Sequence, residues 1–410
     1  MSATRVLIVA ESGEVAPELH QALHPDEFSV RGVSAAQLSA DLAPHQSPDM
    51  VLVSASLGLH ELTHISRRFS ENDSSPTIVV YPDGDFAALE SCVRGGYDYV
   101  TPPFLPSLLR SRMTSCWERS RLTQTVQEME NLASLREYER ELSIAHEIQS
   151  GFLPEELPTP AGWELATRFE PARQVAGDFY DVFELLNGRR LALLVADVCD
   201  KGVGAALFMA LIRTLLRHTA EHTGNWNPVD SPPGSRPGGE PGAALPPMLS
   251  LGAGPLVQAV SSTNQYLARN HLRQGYFATL FFAVLDPGSG KLLYINGGHN
   301  PPVLARANGE HILLPPTGPA VGMLANSSYT LGHTSIGPGD TLFMYTDGVV
   351  EARGTDGRLF GSDRMLRVVT QPGHSAEKLL GLVDQAVAGH VAGAAQSDDI
   401  TMMALRRSDD

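Results

Sequence analysis

The sequence predicts a multidomain chain with a doubly wound α/β domain, a long helical segment and a larger mixed α/β domain. Three observations lead to this prediction. Short apolar runs alternate with amphipathic stretches over the first hundred residues, a glycine-free segment extends from about Leu105 to Ser150, and aspartates then recur at the ends of apolar runs. The 410 residues suffice for two or three domains that each bury a core.

The first domain is assigned to residues 1–118. Its apolar runs Arg5–Ala10, Met50–Val53 and Thr77–Val80 are continuous rather than alternating. Such runs are typical of parallel strands that are buried on both faces by helices. We therefore expect a parallel sheet with helices on either side.

A helical linker is assigned to residues 119–152. Two sets of apolar residues recur there at coiled-coil spacing, but they are out of phase, so the register must slip near Leu132. The sets are Leu122, Val126 and Met129, then Leu135, Tyr138, Leu142, Ala145 and Phe152. We favour a dimerising coiled coil; the alternative is a surface helix that lies on one of the domains.

The third domain is assigned to residues 153–407, after prolines 154, 158 and 160 end the helix. Within it, the stretch at about 223–255 is crowded with Pro, Gly and Ser. Such a composition buries too little apolar surface to order itself, so we expect a disordered insertion in a surface loop.

The composition argues against some classes of partner and indicates the cellular compartment. The net charge of −16 argues against nucleic acid or an anionic membrane as the main partner. Three widely spaced cysteines, Cys92, Cys116 and Cys199, fit neither a disulfide framework nor a thiolate zinc site. With no secretory-signal layout and no run of about 18 apolar residues, we expect a cytoplasmic protein that does not span a membrane.

Aspartates at strand ends are the strongest chemical signal. Asp178 and Asp197 flank a predicted hairpin whose turn is Asn187-Gly188, while Asp347 follows one apolar strand and Asp398-Asp399 precede another. Taken singly, each of these motifs is weak, and an Asp before Gly, as in Asp347-Gly348, is most often a turn residue. Several carboxylates at buried strand ends, however, need a compensating charge, and oxygen ligands favour Mg²⁺ or Mn²⁺. The pattern therefore predicts a metal site.

The N-terminal region resembles the receiver domain of two-component response regulators. The resemblance covers about residues 4–118 and rests on Val6–Val9, Pro48–Val53, Pro76–Val80 and Gly96–Phe104. It implies a flavodoxin-like fold.

The positions that carry receiver chemistry are changed in this chain. Glu11 with Ser12 stands at the acidic pair, Ser54 at the phosphate-accepting aspartate, Tyr81 at the Thr or Ser, and Pro102 at the Lys. Ser54 cannot form the acyl phosphate, and Pro102 has no ammonium group. We therefore expect a pseudo-receiver that binds partners without phosphoryl transfer.

The C-terminal region resembles the metal-dependent type 2C serine/threonine phosphatases, in the bacterial branch that controls sigma factors by partner switching. The match spans about residues 140–406 and rests on Pro171–Asp181, Asp197–Ala206, Asn296–Pro302, Tyr345–Glu351 and Asp398–Thr401. It implies an α+β two-sheet sandwich flanked by helices, and hydrolysis by a water that two divalent cations activate.

The same resemblance implies roles for individual residues. Two Mn²⁺ or Mg²⁺ ions would be held by six positions: Asp197 as the bridging ligand, the Val198 carbonyl, Asp178 at the second metal, Asp347 and Asp398 at the first, and Asp399 as the alternative to Asp398. The residues assigned to catalysis are Asp197, Asp178 and Arg173, the last as a candidate grip on the substrate phosphate.

Three further residues have a functional and a structural interpretation. His299 is a candidate acid for the leaving group, but a histidine in such a loop more often fixes its conformation. Cys199 lacks the Cys-x5-Arg phosphate loop of a thiolate phosphatase and is expected to be structural, as is Asp181. The segment Cys199-Asp200-Lys201-Gly202 departs from the Ser-Gly-Lys-Gly of the branch, so the loop carries an added side chain.

The resulting expectation is a phosphatase that removes phosphate from serine or threonine of a regulatory protein, an anti-sigma-factor antagonist. We expect a homodimer through the linker and the receiver-like domain, and a regulator that binds one of these two parts. The alternative function is a non-catalytic adaptor, in which a degenerate phosphatase domain only binds partners.

Overall fold

The computed structural model describes residues 4–23, 27–38, 48–71, 76–224 and 250–409. The chain divides into two compact units, Met1–Glu137 and Tyr138–Asp410. The predicted disordered insertion at about 223–255 falls mainly on residues 225–249, which lie outside the described residues. Residues 250–255, at the end of that stretch, are helical.

The first unit contains a five-stranded parallel sheet with the strand order β2-β1-β3-β4-β5. The strands are β1 (Thr4–Ala10), β2 (Phe28–Ser34), β3 (Met50–Ser54), β4 (Thr77–Tyr81) and β5 (Asp98–Tyr99). Its helices are α1 (Pro17–Ala22), α2 (Ala35–Leu38), α3 (Gly58–Glu71), α4 (Phe86–Arg94) and the first part of α5 (Pro106–Ser150).

The central strands of this sheet are buried on both faces, as their continuous apolar runs predicted. Val6, Ile8 and Leu52 pack against residues of α1 and α5. Leu7, Val9, Val51 and Val53 pack against residues of α3 and α4 on the other face. The successive residues of a strand thus enter two different clusters, as the two-residue period of a strand requires.

Helix α5 is 45 residues long. Leu109, Met113 and Cys116 near its start are buried in the first unit, and Gln149 near its end is buried in the second. Residues 121–141 between these ends are exposed throughout. The boundary between the two units falls in this exposed stretch.

The second unit is built from two five-stranded antiparallel sheets, β12-β11-β14-β15-β6 and β13-β10-β9-β8-β7. The strands are β6 (Trp163–Glu170), β7 (Phe179–Leu185), β8 (Arg190–Val198), β9 (Ala278–Asp286), β10 (Lys291–Gly297), β11 (Val303–Ala305), β12 (His311–Leu313), β13 (Gly332–Ser335), β14 (Thr341–Tyr345) and β15 (Ile400–Arg407). The helices are the end of α5, α6 (Val203–Gly224), α7 (Ser250–Asn270), α8 (Asp347–Val350), α9 (Ser362–Val369) and α10 (Ala376–Val391).

Three apolar clusters show that this unit has four layers. Leu193, Val195 and Met344 belong to a cluster between the two sheets. Leu194 and Ala196 face α6 and α7 on one side, and residues of β14 and β15 pack against α8, α9 and α10 on the other. The two-sheet sandwich flanked by helices that the resemblance implied is therefore confirmed.

Helix α6 contains a long apolar stretch. Among the described residues, its stretch Val203–His222 is the one helical segment long and apolar enough, by length and composition, to cross a membrane. In the structure, Met209, Ile212 and Leu216 are buried against the sheet that contains β8. These residues of α6 thus belong to the core of the second unit.

Candidate metal centre

The β7–β8 hairpin brings Asp178 beside Asp197, as the sequence predicted. Phe179 pairs with Ala196 in the antiparallel register, so the residue before β7 lies next to Asp197 in β8. In the turn, Asn187 and Gly188 have φ of 56° and 77°, the left-handed conformation that Asn and Gly tolerate best. The two carboxyl groups are within hydrogen-bonding reach of each other.

Asp347 and Asp398 lie at the corresponding end of the other sheet. Tyr345, the last residue of β14, pairs with Met402 in β15, so the residues after β14 and before β15 are neighbours. Gly348 permits this approach, because a Cβ there would overlap the carbonyl oxygen of Asp399. The Asp-Gly sequence that looked like a turn signal is thus required by close packing at the site.

Two buried threonines connect the acids of the two sheets. The Thr346 and Thr401 hydroxyls donate hydrogen bonds to Asp178 Oδ2, at 2.6 and 2.8 Å. The backbone N–H of Thr401 also donates to Thr346 Oγ1, at 3.0 Å. Neither threonine was predicted from the sequence to belong to the site. Their position next to the acid motifs was the available signal, but a lone threonine at a strand end has many uses.

The structure separates the surroundings of Asp398 and Asp399. Both oxygens of Asp399 accept backbone hydrogen bonds, from Ala172 N at 2.8 Å and from Gly177 N at 2.9 Å. Asp398 Oδ2 instead lies 2.9 Å from the ammonium nitrogen of Lys201, and its charge acts on Asp197 and Asp347. Asp399 also acts by its charge on Asp178 and Asp197, but its carboxylate is hydrogen-bonded to the backbone of the segment before β7, whereas that of Asp398 pairs with Lys201.

The carboxylates of the acidic cluster disfavour one another's ionisation. Burial, and then the neighbouring carboxylates, raise the pKa of Asp197 to about 7 and that of Asp347 to about 6. The pKa of Asp178, which is 2% exposed, is raised well above its usual value by burial first and by Asp197 next. A carboxyl group that resists ionisation among other carboxylates is stabilised by added positive charge.

These residues form an open acidic cluster rather than a closed ligand sphere. Within the part of the chain that the structure describes, no three His, Cys, Asp or Glu side chains already surround a common point as ligands would. Two of the carboxylate oxygens already have other partners. Asp178 Oδ2 accepts hydrogen bonds from the two threonines, and Asp398 Oδ2 forms an ion pair with Lys201. The donor set still fits a hard divalent cation, because it consists of carboxylate and carbonyl oxygens whose charges are poorly compensated.

The loop after Asp197 accommodates its unusual sequence. Asp200 has a φ of 72°, a left-handed conformation that aspartate tolerates better than most residues, and its Oδ1 accepts a hydrogen bond from Lys201 N. The Val198 carbonyl faces Gly177, where an added Cβ would lie 2.7 Å from its oxygen. The loop therefore still turns at Asp200, although Asp200 carries a side chain that the glycine of the branch lacks.

His299 and Cys199 have structural surroundings. His299 is buried, its Nδ1 is 2.8 Å from the Thr279 hydroxyl, and burial lowers its pKa to about 4. A ring that stays neutral and buried is poorly suited to donate a proton to a leaving group. Cys199 Sγ accepts a hydrogen bond from Phe277 N at 3.2 Å, and burial raises the pKa of its thiol.

Arg173 lies on the segment between β6 and β7 and is exposed. Asp181, three residues beyond Asp178, is fully buried, and its carboxylate bonds to Arg213 and Arg217 of α6 at 3.1 and 3.2 Å. Asp181 is thus engaged by two arginines of α6.

The second unit is similar to bacterial proteins that include a named phosphatase. Residues 187–408 match the family model described as stage II sporulation protein E (SpoIIE). The chain is 40% identical over 268 residues to Protein IcfG of Synechocystis sp., an alignment that covers 65% of this chain and 42% of that protein. It is 23% identical over 283 residues to Phosphoserine phosphatase RsbU of Bacillus subtilis, covering 68% of this chain and 74% of RsbU. The chain thus spans less than half the length of Protein IcfG.

A solved structure has the same fold. The SiaA-PP2C domain of Pseudomonas aeruginosa superposes with a TM-score of 0.52 at 20% identity, covering 67% of this chain and 98% of that domain. At this identity the likeness establishes the fold alone.

Proposed function

We propose a function for this chain from the premise that it belongs to the stage II sporulation protein E (SpoIIE) family. The function is that of a metal-dependent protein serine/threonine phosphatase. Its main support is the cluster of Asp178, Asp197, Asp347 and Asp398, in which burial and neighbouring carboxylates raise the pKa of Asp178, Asp197 and Asp347.

We assign the cation ligands as follows. Asp197, aided by the Val198 carbonyl, would be shared by two Mn²⁺ or Mg²⁺ ions. Asp178 would be a ligand of the second ion, and Asp347 and Asp398 would be ligands of the first. The preference for Asp398 over Asp399 follows from the two backbone hydrogen bonds that already occupy the Asp399 carboxylate. When bound, the cations would supply charge that stabilises the phosphoryl oxygens and lowers the pKa of water.

Other residues of the site would orient the Asp178 carboxylate and bind the substrate phosphate. Thr346 and Thr401 fix the Asp178 carboxylate through their hydroxyl groups. Arg173, exposed on the adjoining segment, would bind oxygens of the substrate phosphate, for which a guanidinium group is well suited. His299 would remain neutral and take no part in proton transfer, because burial keeps its pKa near 4.

The proposed substrate is a phosphorylated regulatory protein, an anti-sigma-factor antagonist. Two considerations support this choice: the sequence motifs are those of the branch that acts by partner switching, and the relative RsbU is named a phosphoserine phosphatase. A cytoplasmic location accords with such a partner and with the three free cysteines.

For residues 1–118 we propose a pseudo-receiver, followed by a linker at 119–152 and the phosphatase domain at 153–407. The strand order β2-β1-β3-β4-β5 agrees with a receiver-like fold. Ser54, in the position of the phosphate acceptor, is buried and lies 2.7 Å from the Ser56 hydroxyl. Acetyl phosphate should therefore leave the first unit unlabelled, and a stable phosphoryl adduct there would refute the pseudo-receiver.

Phosphatase activity is tested on p-nitrophenyl phosphate and on a phosphoserine protein, with Mn²⁺ or with a chelator. We expect hydrolysis that requires Mn²⁺ and that Asp347→Asn reduces by at least about 100-fold, since the lost carboxylate is a ligand. Asp356→Asn, which alters an exposed acid outside the cluster, serves as the control and should retain activity. Bound Mn²⁺ without hydrolysis would instead favour the non-catalytic adaptor.

A further inference from the structure

The segment Pro171–Asp178, which leads into the metal centre, is held by side chains from distant parts of the chain. It lies between β6 and β7 and has no regular secondary structure. Asp399 accepts hydrogen bonds from two of its N–H groups, and His146 Nδ1 is 2.7 Å from the carbonyl oxygen of Gln174. The position of Asp178 therefore depends on partners outside the segment.

Gln149 makes the most complete of these contacts. Its Oε1 accepts a hydrogen bond from Ala176 N at 3.0 Å, and its Nε2 donates one to Ala176 O at 2.7 Å. The backbone N–H can only donate and the carbonyl can only accept, so the orientation of the amide is fixed by these partners. Gln149 is 5% exposed, although it lies in a helix whose neighbouring residues are mostly exposed.

Only Gly177 separates Ala176, which Gln149 contacts, from Asp178 of the acidic cluster. Ala176 is followed by Gly177, which is packed so tightly that a Cβ would lie 2.7 Å from the Val198 carbonyl oxygen. Asp178 comes next, tied to Thr346 and Thr401. If Ala176 moved, Gly177 would either collide with the Val198 carbonyl or draw Asp178 away from Asp197.

We propose that Gln149 is a positioning residue for the metal centre, in that its amide fixes Ala176 and thereby the distance between Asp178 and the Asp197–Val198 edge. The inference rests on the proposed function, because it concerns the same cations. It makes the end of α5 a part of the site, although Gln149 itself touches no acid of the cluster. A residue that supports a ligand in this way typically alters metal affinity more than fold stability.

The first test measures Mn²⁺ binding to the full chain by electron paramagnetic resonance of the free ion. Gln149→Leu keeps the side-chain volume and loses both hydrogen bonds, and we expect its Mn²⁺ dissociation constant to rise about tenfold. The matched control is Gln127→Leu, an exposed glutamine of the same helix, which should bind as the wild type does. The same rise should appear in the Mn²⁺ concentration for half-maximal hydrolysis, with a smaller loss of kcat at saturating Mn²⁺.

The second test uses the pH dependence of Gln149→Glu. This side chain retains the acceptor for Ala176 N, but only its protonated form can donate to Ala176 O. Its Mn²⁺ affinity relative to the wild type should therefore fall as the pH rises through the pKa of the introduced carboxyl group, because ionisation removes the donor. Gln127→Glu should show a constant ratio.

The outcomes separate this inference from the proposed function. If the wild type hydrolyses phosphoserine with Mn²⁺ while Gln149→Leu keeps its Mn²⁺ affinity and loses only thermal stability, Gln149 is a packing residue and the inference is wrong. If Gln149→Leu weakens Mn²⁺ binding but the wild type hydrolyses nothing, the inference stands and the phosphatase proposal fails.

Discussion

Asp181 shows that an acid inside a recognised motif can have a purely structural environment. It is fully buried, burial raises its pKa, and its partners Arg213 and Arg217 come from α6. Arg213 is also largely buried, and burial lowers its pKa. Burial disfavours the charged form of Asp181 and of Arg213, so each charge is stabilised by the other.

Replacing Asp181 with Ala should therefore destabilise the second unit by about 3 kcal/mol, because the buried Arg213 charge loses its partner. Chemical denaturation followed by circular dichroism measures this loss. The control is Glu221→Gln, which removes the half-exposed carboxylate that pairs with Arg217 and should cost less than about 1 kcal/mol. Equal losses in the two variants would contradict the assignment.

His299 should impose a pH dependence on stability. Its pKa is lowered from 6.5 to about 4, so between these values the unfolded chain binds the proton more readily than the native protein. Above about pH 6.5 the ring is neutral in both states, and the native protein has its full stability. As the pH falls toward 4, the free energy of unfolding decreases by up to about 3 kcal/mol. The free energy of unfolding should therefore fall more steeply with acid in the wild type than in His299→Gln.

Urea unfolding at several pH values between about 4 and 7.5 measures this difference. His311→Gln, which alters an exposed histidine of β12, should keep the slope of the wild type. Parallel curves for the wild type and His299→Gln would show that the ring is not buried in a neutral form.

At the scale of single residues, the sequence predicted the acids but not their supports. Asp178, Asp197, Asp347 and Asp398 could be found because each adjoins an apolar strand. Thr346 and Thr401 are 168 and 223 residues from Asp178, so their hydrogen bonds depend on how the two sheets stack. Nothing in the local pattern records that stacking.

At the scale of elements, α5 explains why its two apolar sets are out of phase. Leu142 and Ala145 are half-buried and Gln149 is buried, so part of the second set faces the second unit. Ile144 and Ile148 lie on the other side of the helix and are about half-exposed or more. Leu122, Val126 and Met129 of the first set are exposed as well. Each interpretation of the linker thus fits one face of the helix.

The exposed face formed by Leu122, Val126 and Met129 is our proposed dimer contact. Val126→Glu should weaken the dimer at least about tenfold, because a charge would be buried between two helices. Sedimentation equilibrium measures the constant. Asn131→Glu, about half a turn away round the helix, is the matched control and should leave the dimer intact. A wild type that sediments as a monomer would contradict the proposal.

At the scale of the whole chain, the spacing of apolar residues predicted the type of secondary structure in each region. Continuous runs gave the parallel strands of the first unit, and the alternation in β8 divides its residues between the inner core and the helical layer. The two-sheet arrangement of the second unit came from the family resemblance, because short antiparallel strands separated by long loops do not specify their order. The segment at 225–249 lies outside the described residues, so the predicted insertion remains a prediction there.

The central claim, that Asp197 and its neighbours bind divalent cations together, is tested most directly by calorimetric titration of the chelator-treated chain with Mn²⁺. We expect two ions per chain in the wild type, at least about tenfold weaker binding in Asp197→Asn and in Asp347→Asn, and wild-type binding in Asp356→Asn. Wild-type stoichiometry and affinity in both Asp197→Asn and Asp347→Asn would contradict the claim.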